Sequence, residues 1–318
     1  MTAPAEKPPL TVLLAAPRGF CAGVERAIEA VEAARAATDR PVYVRHEIVH
    51  NGRVVRALEE TGVVFVDEVA AIPDGAVTIF SAHGVSRAVE QEAAARGLDV
   101  IDATCPLVRR VHTEGRRHVA DGRTLIVIGH RDHVEVEGLV GQVDGAVHVV
   151  ESVEEARMLA IPDPERLAYV TQTTLSVDDT RDIIAALKAR FPTIVGPDLK
   201  TICYATQNRQ AALRSIAARA ERVIVCGARN SSNTNRLAEL ARVLGRPALL
   251  VEDAGEIGED FVAGVSTIGL TSGASAPEAL VQEALARLAH WRRLDLEEIR
   301  VTQESVRFAP VDLGALAG

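Results

Sequence analysis

Short apolar runs recur along this chain, each followed by a polar or glycine-containing turn and then by an Ala/Glu/Arg-rich helical pattern. "AVTIFSAHGVSRAVEQEAAARG", "RTLIVIGH" and "RVIVCGARNSSNTNRLAELARVLG" are examples. Alternation of buried-strand runs with helical periodicity predicts βα units, and hence an α/β protein with parallel sheets. The first run, Leu10 to Ala16, leads through Pro17 to Gly23 into a predicted helix.

The units repeat at a longer period. Three strand-to-helix turns carry an isolated cysteine, "RGFCAGVERA" (Cys21), "DATCPLVRRV" (Cys105) and "TICYATQNRQ" (Cys203), separated by 84 (105 − 21) and 98 (203 − 105) residues. A second polar turn follows each cysteine by 29, 28 and 28 residues (50 − 21, 133 − 105, 231 − 203). These turns contain His50, then His133 and Glu135, then Ser231, Ser232 and Asn233. A third turn comes 33, 40 and 44 residues later (83 − 50, 173 − 133, 275 − 231), with His83, Thr173 and Ser275. In open parallel α/β sheets, ligands bind beyond the carboxyl ends of strands, so three such rounds would aim nine turns at one cavity.

Composition narrows the function classes. At 318 residues two or three domains are expected. A net charge of −9 and 3% aromatic residues disfavour a general nucleic-acid surface or an anionic membrane, and no apolar run approaches a membrane helix. The proline-rich start lacks the apolar core of a secretory signal and reads as a frayed tail over residues 1–9 of a cytoplasmic protein. Four cysteines in this length do not form a disulfide framework.

The turns then acquire chemistry. A cysteine at a helix N-terminus is biased toward the thiolate that binds metal. Cys21, Cys105 and Cys203 could hold zinc with a histidine, or an iron-sulfur cluster with one iron left open. The cluster fits better, because zinc ligands normally come in close sequence pairs. Cys226, inside "RVIVCGA", has no counterpart and reads as core. The donors of the other turns, beside helix starts, suit a phosphate or diphosphate. Arg87 and Arg236 only follow two of these turns, so protonated histidine is expected to meet part of the anionic charge. His46, His112, His118, His130, His148 and His290 read as packing or surface residues. Glu135, in a dry pocket, would have the raised pKa of a proton donor, whereas Glu137 reads as a solvated acid.

"PRGFCAGVERAI", "YVRHEIVHN", "IFSAHGVS", "DATCPLV", "HVEVEG", "TQTTLSVDDT", "ICYATQNRQ", "NSSNTNRLAEL" and "SGASAPE" together resemble the 4-hydroxy-3-methylbut-2-enyl diphosphate reductases, collinearly from about Leu10 to Leu285. The resemblance implies three pseudo-symmetric α/β domains in a trefoil around a central 4Fe-4S cluster. Their expected bounds are residues 23–104, 105–199, and 200–290 together with 10–22, with a C-terminal tail over 291–318. It implies Cys21, Cys105 and Cys203 as cluster ligands, and a fourth iron that takes the substrate hydroxyl. His50, His83, His133, Ser231, Ser232, Asn233 and Ser275 match diphosphate-binding positions, while Glu135 and Thr173 match those near the hydroxyl and its proton relay. The implied reaction is reductive dehydroxylation to isopentenyl and dimethylallyl diphosphate, the last step of the methylerythritol phosphate route, with a ferredoxin or flavodoxin as electron donor. One departure is Val134, where that family commonly has proline, which frees the backbone before Glu135. Two rivals keep the cluster: a hydro-lyase using the open iron as a Lewis acid only, and a non-catalytic iron-sulfur sensor, which the acidic balance disfavours.

Overall fold

The computed structural model of the protein describes residues 7–317. The first six residues of the expected tail therefore lie outside the described residues. Its last three do not hang free: Lys7 Nζ donates to the Ala289 carbonyl at 2.7 Å, Arg293 N–H donates to Pro8 O at 3.0 Å, and a strand begins at Pro9.

That strand, β1 (Pro9–Ala16), leads through the Cys21 turn into α1 (Ala22–Ala37). Ala27, Ala30, Val31 and Ala34 recur at helical spacing on α1 and form its buried stripe. The chain continues through β2 (Val42–Arg45), α2 (Gly52–Glu59), β3 (Val63–Val66), β4 (Val77–Phe80), α3 (Arg87–Ala95) and β5 (Asp99–Asp102) to the Cys105 turn. From there α4 (Pro106–Ala120), β6 (Thr124–Ile128), α5 (Val134–Val140), β7 (Val147–Val150), α6 (Val153–Met158), β8 (Leu167–Thr171) and α7 (Val177–Arg190) lead to the Cys203 turn. The last round is α8 (Tyr204–Ala217), β9 (Arg222–Cys226), α9 (Ser232–Val243), β10 (Ala248–Val251), β11 (Thr267–Ser272), α10 (Glu278–Trp291) and β12 (Arg293–Arg300).

By its internal contacts the chain forms two compact units, one of residues up to Cys21 with Tyr204–Val306, the other of Ala22–Cys203 with the segment from Arg307 onward. The second unit contains two parallel sheets, ordered β3, β2, β4, β5 and β7, β6, β8. The first contains one parallel sheet, ordered β10, β9, β11, β1, β12. The three sheets share one plan. In each, the first strand after the cysteine helix is flanked by the next strand on one side and the third on the other. A fourth position beside the third strand then feeds a cysteine. β5 fills it before Cys105 and β1 before Cys21; before Cys203 it shrinks to a parallel bridge between Ala168 and Val195. Successive residues face opposite sides of each sheet, as strand geometry requires. Leu10, Val12, Leu14 and Ile224 pack on one face of the five-stranded sheet, and Leu13, Ala15, Val223 and Val225 on the other.

Two boundaries differ from expectation. Residues 23–104 and 105–199 share one unit because their rounds interlock: Arg87 N–H donates to Gly141 O at 3.0 Å, Gln142 Nε2 donates to Val85 O at 2.8 Å, and a Cβ on Gly138 would lie 3.3 Å from Gly84 O. The segment after Trp291 is not wholly a tail, since Arg293–Arg300 pairs with all of β1. Its charged side chains sit on an edge strand, where they guard an open ladder, and so it reads in sequence like a solvated run. Among the described residues no helix is long and apolar enough to cross a membrane.

Candidate active site

Each repeated cysteine is half-buried, joins no disulfide and sits at or just before the first residue of a helix. Cys105 is the N-cap of α4 and is followed by Pro106, whose missing N–H costs nothing there. Each cysteine is also hung by its main chain from the third polar turn of a round. Cys21 N–H donates to Ala274 O at 3.2 Å, Cys105 N–H to Ala82 O at 3.0 Å and Cys203 N–H to Thr173 O at 3.0 Å. The fourth cysteine behaves differently: burial in the core pushes the Cys226 thiol up to about 12. Among the described residues no three His, Cys, Asp or Glu side chains group closely enough for a single metal ion. An iron-sulfur cluster asks for something else, one thiolate per iron, and three accessible thiols at helix starts fit it.

In the unit of residues 22–203, three of the predicted histidines come together. The rings of His50 and His83 stack with centroids 4.1 Å apart, and His133 stands edge-on at 5.4 Å from His50 and 6.3 Å from His83. His83 needs Gly84 behind it. That glycine has φ +78°, and a Cβ on it would lie 2.7 Å from His112 Cε1. His133 caps α5, its Nδ1 accepting from Glu135 N–H at 3.1 Å. An accepting Nδ1 puts the proton of the neutral ring on Nε2, which is buried and has no partner among the described residues. His133 therefore presents a ready N–H donor. His50 Nδ1 lies 3.3 Å from Glu47 Oε2, a pairing with no prior signal in the turn pattern. Burial, reinforced by its histidine neighbours, holds His83 well below the ordinary imidazole range and lowers His133 to about 3. The expectation of protonated histidine is thus corrected for the ligand-free protein: His83 and His133 are neutral donors, because burial disfavours the charged form and the rings would repel one another if charged.

Glu135 lies in the first turn of α5 and is 4% exposed. Thr173 N–H donates to its Oε1 at 2.6 Å and the Thr173 hydroxyl to its Oε2 at 2.9 Å. Desolvation outweighs these bonds and raises the carboxyl to about 7. A glutamate with that pKa is half protonated near neutrality, which suits a proton donor. Gln172, which the turn pattern did not single out, braces the same corner by accepting from His130 N–H at 3.0 Å.

The other unit contains Cys21 and the uncharged donors. Ser231 caps α9, and Ser231, Ser232, Asn233 and Ser275 are all buried. Ser275 Oγ donates to Ser231 Oγ at 3.2 Å, joining the second and third turns of the round. Asn233 Oδ1 accepts from Ala274 N–H at 2.8 Å, which fixes its amide so that Nδ2 donates to Thr206 Oγ1 at 3.3 Å. Thr206 lies inside α8, outside any turn, and only its place three residues after Cys203 hints at a role. Arg87 and Arg236 form no anion clamp. Arg87 pairs with Asp144, and Arg236 with Glu239 at 2.7 Å.

The family model described as LytB protein matches residues 12–289. The chain belongs to the LytB family. Among curated LytB-family relatives, the 4-hydroxy-3-methylbut-2-enyl diphosphate reductase of Burkholderia pseudomallei is 54% identical over 299 residues, covering 94% of this chain and 96% of that protein. The reductase of the same name from Zymomonas mobilis is 52% identical over 299 residues, covering 94% and 88%. Among solved structures, the E-1-hydroxy-2-methyl-but-2-enyl-4-diphosphate reductase of Plasmodium falciparum superposes with a TM-score of 0.89 at 36% identity, covering 96% of each chain. The LytB-family matches span the repeated turns from Cys21 to Ser275.

Proposed function

We propose that this chain is a 4-hydroxy-3-methylbut-2-enyl diphosphate reductase, with Cys21, Cys105 and Cys203 as ligands of a 4Fe-4S cluster. His50, His83, His133, Ser231, Ser232, Asn233 and Ser275 bind the diphosphate, and Glu135 with Thr173 delivers a proton to the departing hydroxyl. Two electrons and two protons enter, the allylic C–O bond breaks, the oxygen leaves as water and a C–H bond forms. The cluster supplies the electrons and a Lewis-acidic iron when bound.

The observation that carries this reading is the sealed Glu135 carboxyl, raised to about 7 and held by both donors of Thr173. Thr173 orients the acid, and its hydroxyl is the one group bonded to the carboxyl, among the described residues, that can pass a proton onward. Neutral imidazoles and hydroxyls are suitable partners for an anion, because each carries an N–H or O–H that can donate to it without a change of charge. Electrons come from a ferredoxin or flavodoxin. Four cysteines outside any disulfide support a reducing, cytoplasmic setting.

Anaerobic purification followed by reduction of the hydroxy-diphosphate tests the reading. Glu135→Gln should keep full iron-sulfur absorption and lose about 10²–10⁴-fold in turnover. A fully active Glu135→Gln protein would refute the proton assignment, and a wild-type protein without iron-sulfur absorption would refute the whole. Cys21→Ala should empty the protein of cluster iron, while Cys226→Ala should retain it, as a chemical iron assay will report.

A further inference from the structure

The largest fully buried side chain is an arginine that the turn pattern never flagged. Arg209 lies on α8, is 0% exposed and uses all three of its nitrogens as donors. Nε and Nη2 donate to Gly19 O at 3.1 and 2.6 Å, and Nη2 also to Phe20 O at 3.2 Å. Nη1 donates to Ala205 O at 3.0 Å, two residues along the chain from Cys203. Glu304, beyond β12, supplies the countercharge: its Oε1 is 3.0 Å from Nη1, its Oε2 3.4 Å from Nη2, and Asn208 Nδ2 donates to Oε1 at 3.0 Å.

A buried guanidinium costs folding free energy unless it is paired and fully bonded, so what it bonds indicates what it does. Had Arg209 only pinned the C-terminal segment to α8, its bonds to Glu304 and Ala205 would suffice. Three further bonds go to the two carbonyls immediately before Cys21. That stretch needs holding: Gly19 sits at φ +73°, and the Cys21 amide is tied to the Ala274 carbonyl at 3.2 Å. Only the planar fork of arginine spans two successive carbonyls and a carboxylate together; the point charge of lysine cannot.

We propose that Arg209, held by Glu304, is a positioning residue that fixes the Gly19–Phe20 turn and so the direction in which Cys21 offers its thiol to the cluster. The proposal rests on the reading of Cys21 as a cluster ligand. It gives the segment beyond β12 a task, as the source of the carboxylate that lets a cation stay buried behind that turn.

The test uses the full-length chain, with Arg209→Lys and Glu304→Gln, before and after anaerobic reconstitution with iron and sulfide. Hydrogen exchange read by mass spectrometry should show the Cys21 amide exchanging about tenfold faster in both variants, with the Cys105 amide within about twofold of wild type. The reconstituted variants should show a shifted electron paramagnetic resonance signal of the reduced cluster and faster loss of iron to a chelator. Unchanged exchange at Cys21, or equal acceleration at Cys21 and Cys105, would overturn the proposal, the second because it marks general loosening. A wild-type chain that binds no cluster would overturn the ligand reading and the proposal's final step together. The exchange difference, measured without iron, tells that failure from the first.

Discussion

The turns of residues 22–203 and those of the other unit occupy equivalent places in one repeat, yet are furnished with opposite kinds of donor. The first set is titratable: His83 and His133 are pushed down and Glu135 is pushed up, all chiefly by burial. The second set, Ser231, Ser232, Asn233 and Ser275, cannot change charge in the working range of pH. Equal topology therefore does not mean equal chemistry. Of His83, His133 and Glu135, Glu135 alone titrates near neutrality, whereas the second set has no group that can give up or take a proton there.

The largest expected test of that contrast is stability against pH. Glu135 has a folded pKa near 7 against an ordinary 4.5, so folding carries no penalty below pH 4.5 and loses stability as pH rises toward 7. Glu135→Gln, measured by urea unfolding, should gain on wild type between those limits by on the order of 3 kcal/mol. The histidines act with the reverse sign. His133, lowered to about 3 from an ordinary 6.5, contributes stability above pH 6.5 that drains away as pH falls. His133→Gln should recover roughly 2 kcal/mol relative to wild type on going from pH 7.5 to pH 5. A smaller effect belongs to the neutral set. Asn233→Ala should raise KM about tenfold, equally at pH 6.5 and pH 8, through one lost bond to an anion. A pH-dependent Asn233→Ala defect would break the division between the two sets. The least effect is expected at Val134, the first residue of α5, which follows a His133 backbone (φ −90°, ψ 130°) already suited to precede proline. Val134→Pro should add about 0.4–1 kcal/mol of stability by thermal denaturation and leave turnover unchanged, because the His133 cap already fixes the loop.

Much of this was legible in the sequence. Apolar runs such as Leu125 to Ile128 mark strands buried on both faces, and the steps between turns foreshadow the shared sheet plan. The meeting of His50, His83 and His133, and of Glu135 with Thr173, follows once the turns are equivalent. Three features stayed hidden for physical reasons. β12 is an edge strand exposed along most of its length, with Glu297 and Glu298 on its two faces, so its pattern is that of a charged tail; Arg219 pairs with Glu297 at 2.6 Å and Arg18 with Glu298 at 3.3 Å. Arg209 looks like any surface arginine of a helix, because its acceptors are main-chain carbonyls far away in sequence. The neutrality of His83 and His133 depends on how deeply their ring nitrogens are buried, and pattern alone does not measure that.

The hydrogen bonds from Cys21, Cys105 and Cys203 to Ala274, Ala82 and Thr173 have a thermodynamic consequence. Ala274 adjoins Ser275, Ala82 adjoins His83, and Thr173 itself holds Glu135, so each thiol shares one rigid peptide linkage with a group assigned to substrate. If iron loading orders these turns and so raises the affinity for substrate, bound substrate by reciprocity raises the affinity for iron by the same factor. In such a chain, the iron needed to fill the site would fall as the concentration of diphosphate ligand rose.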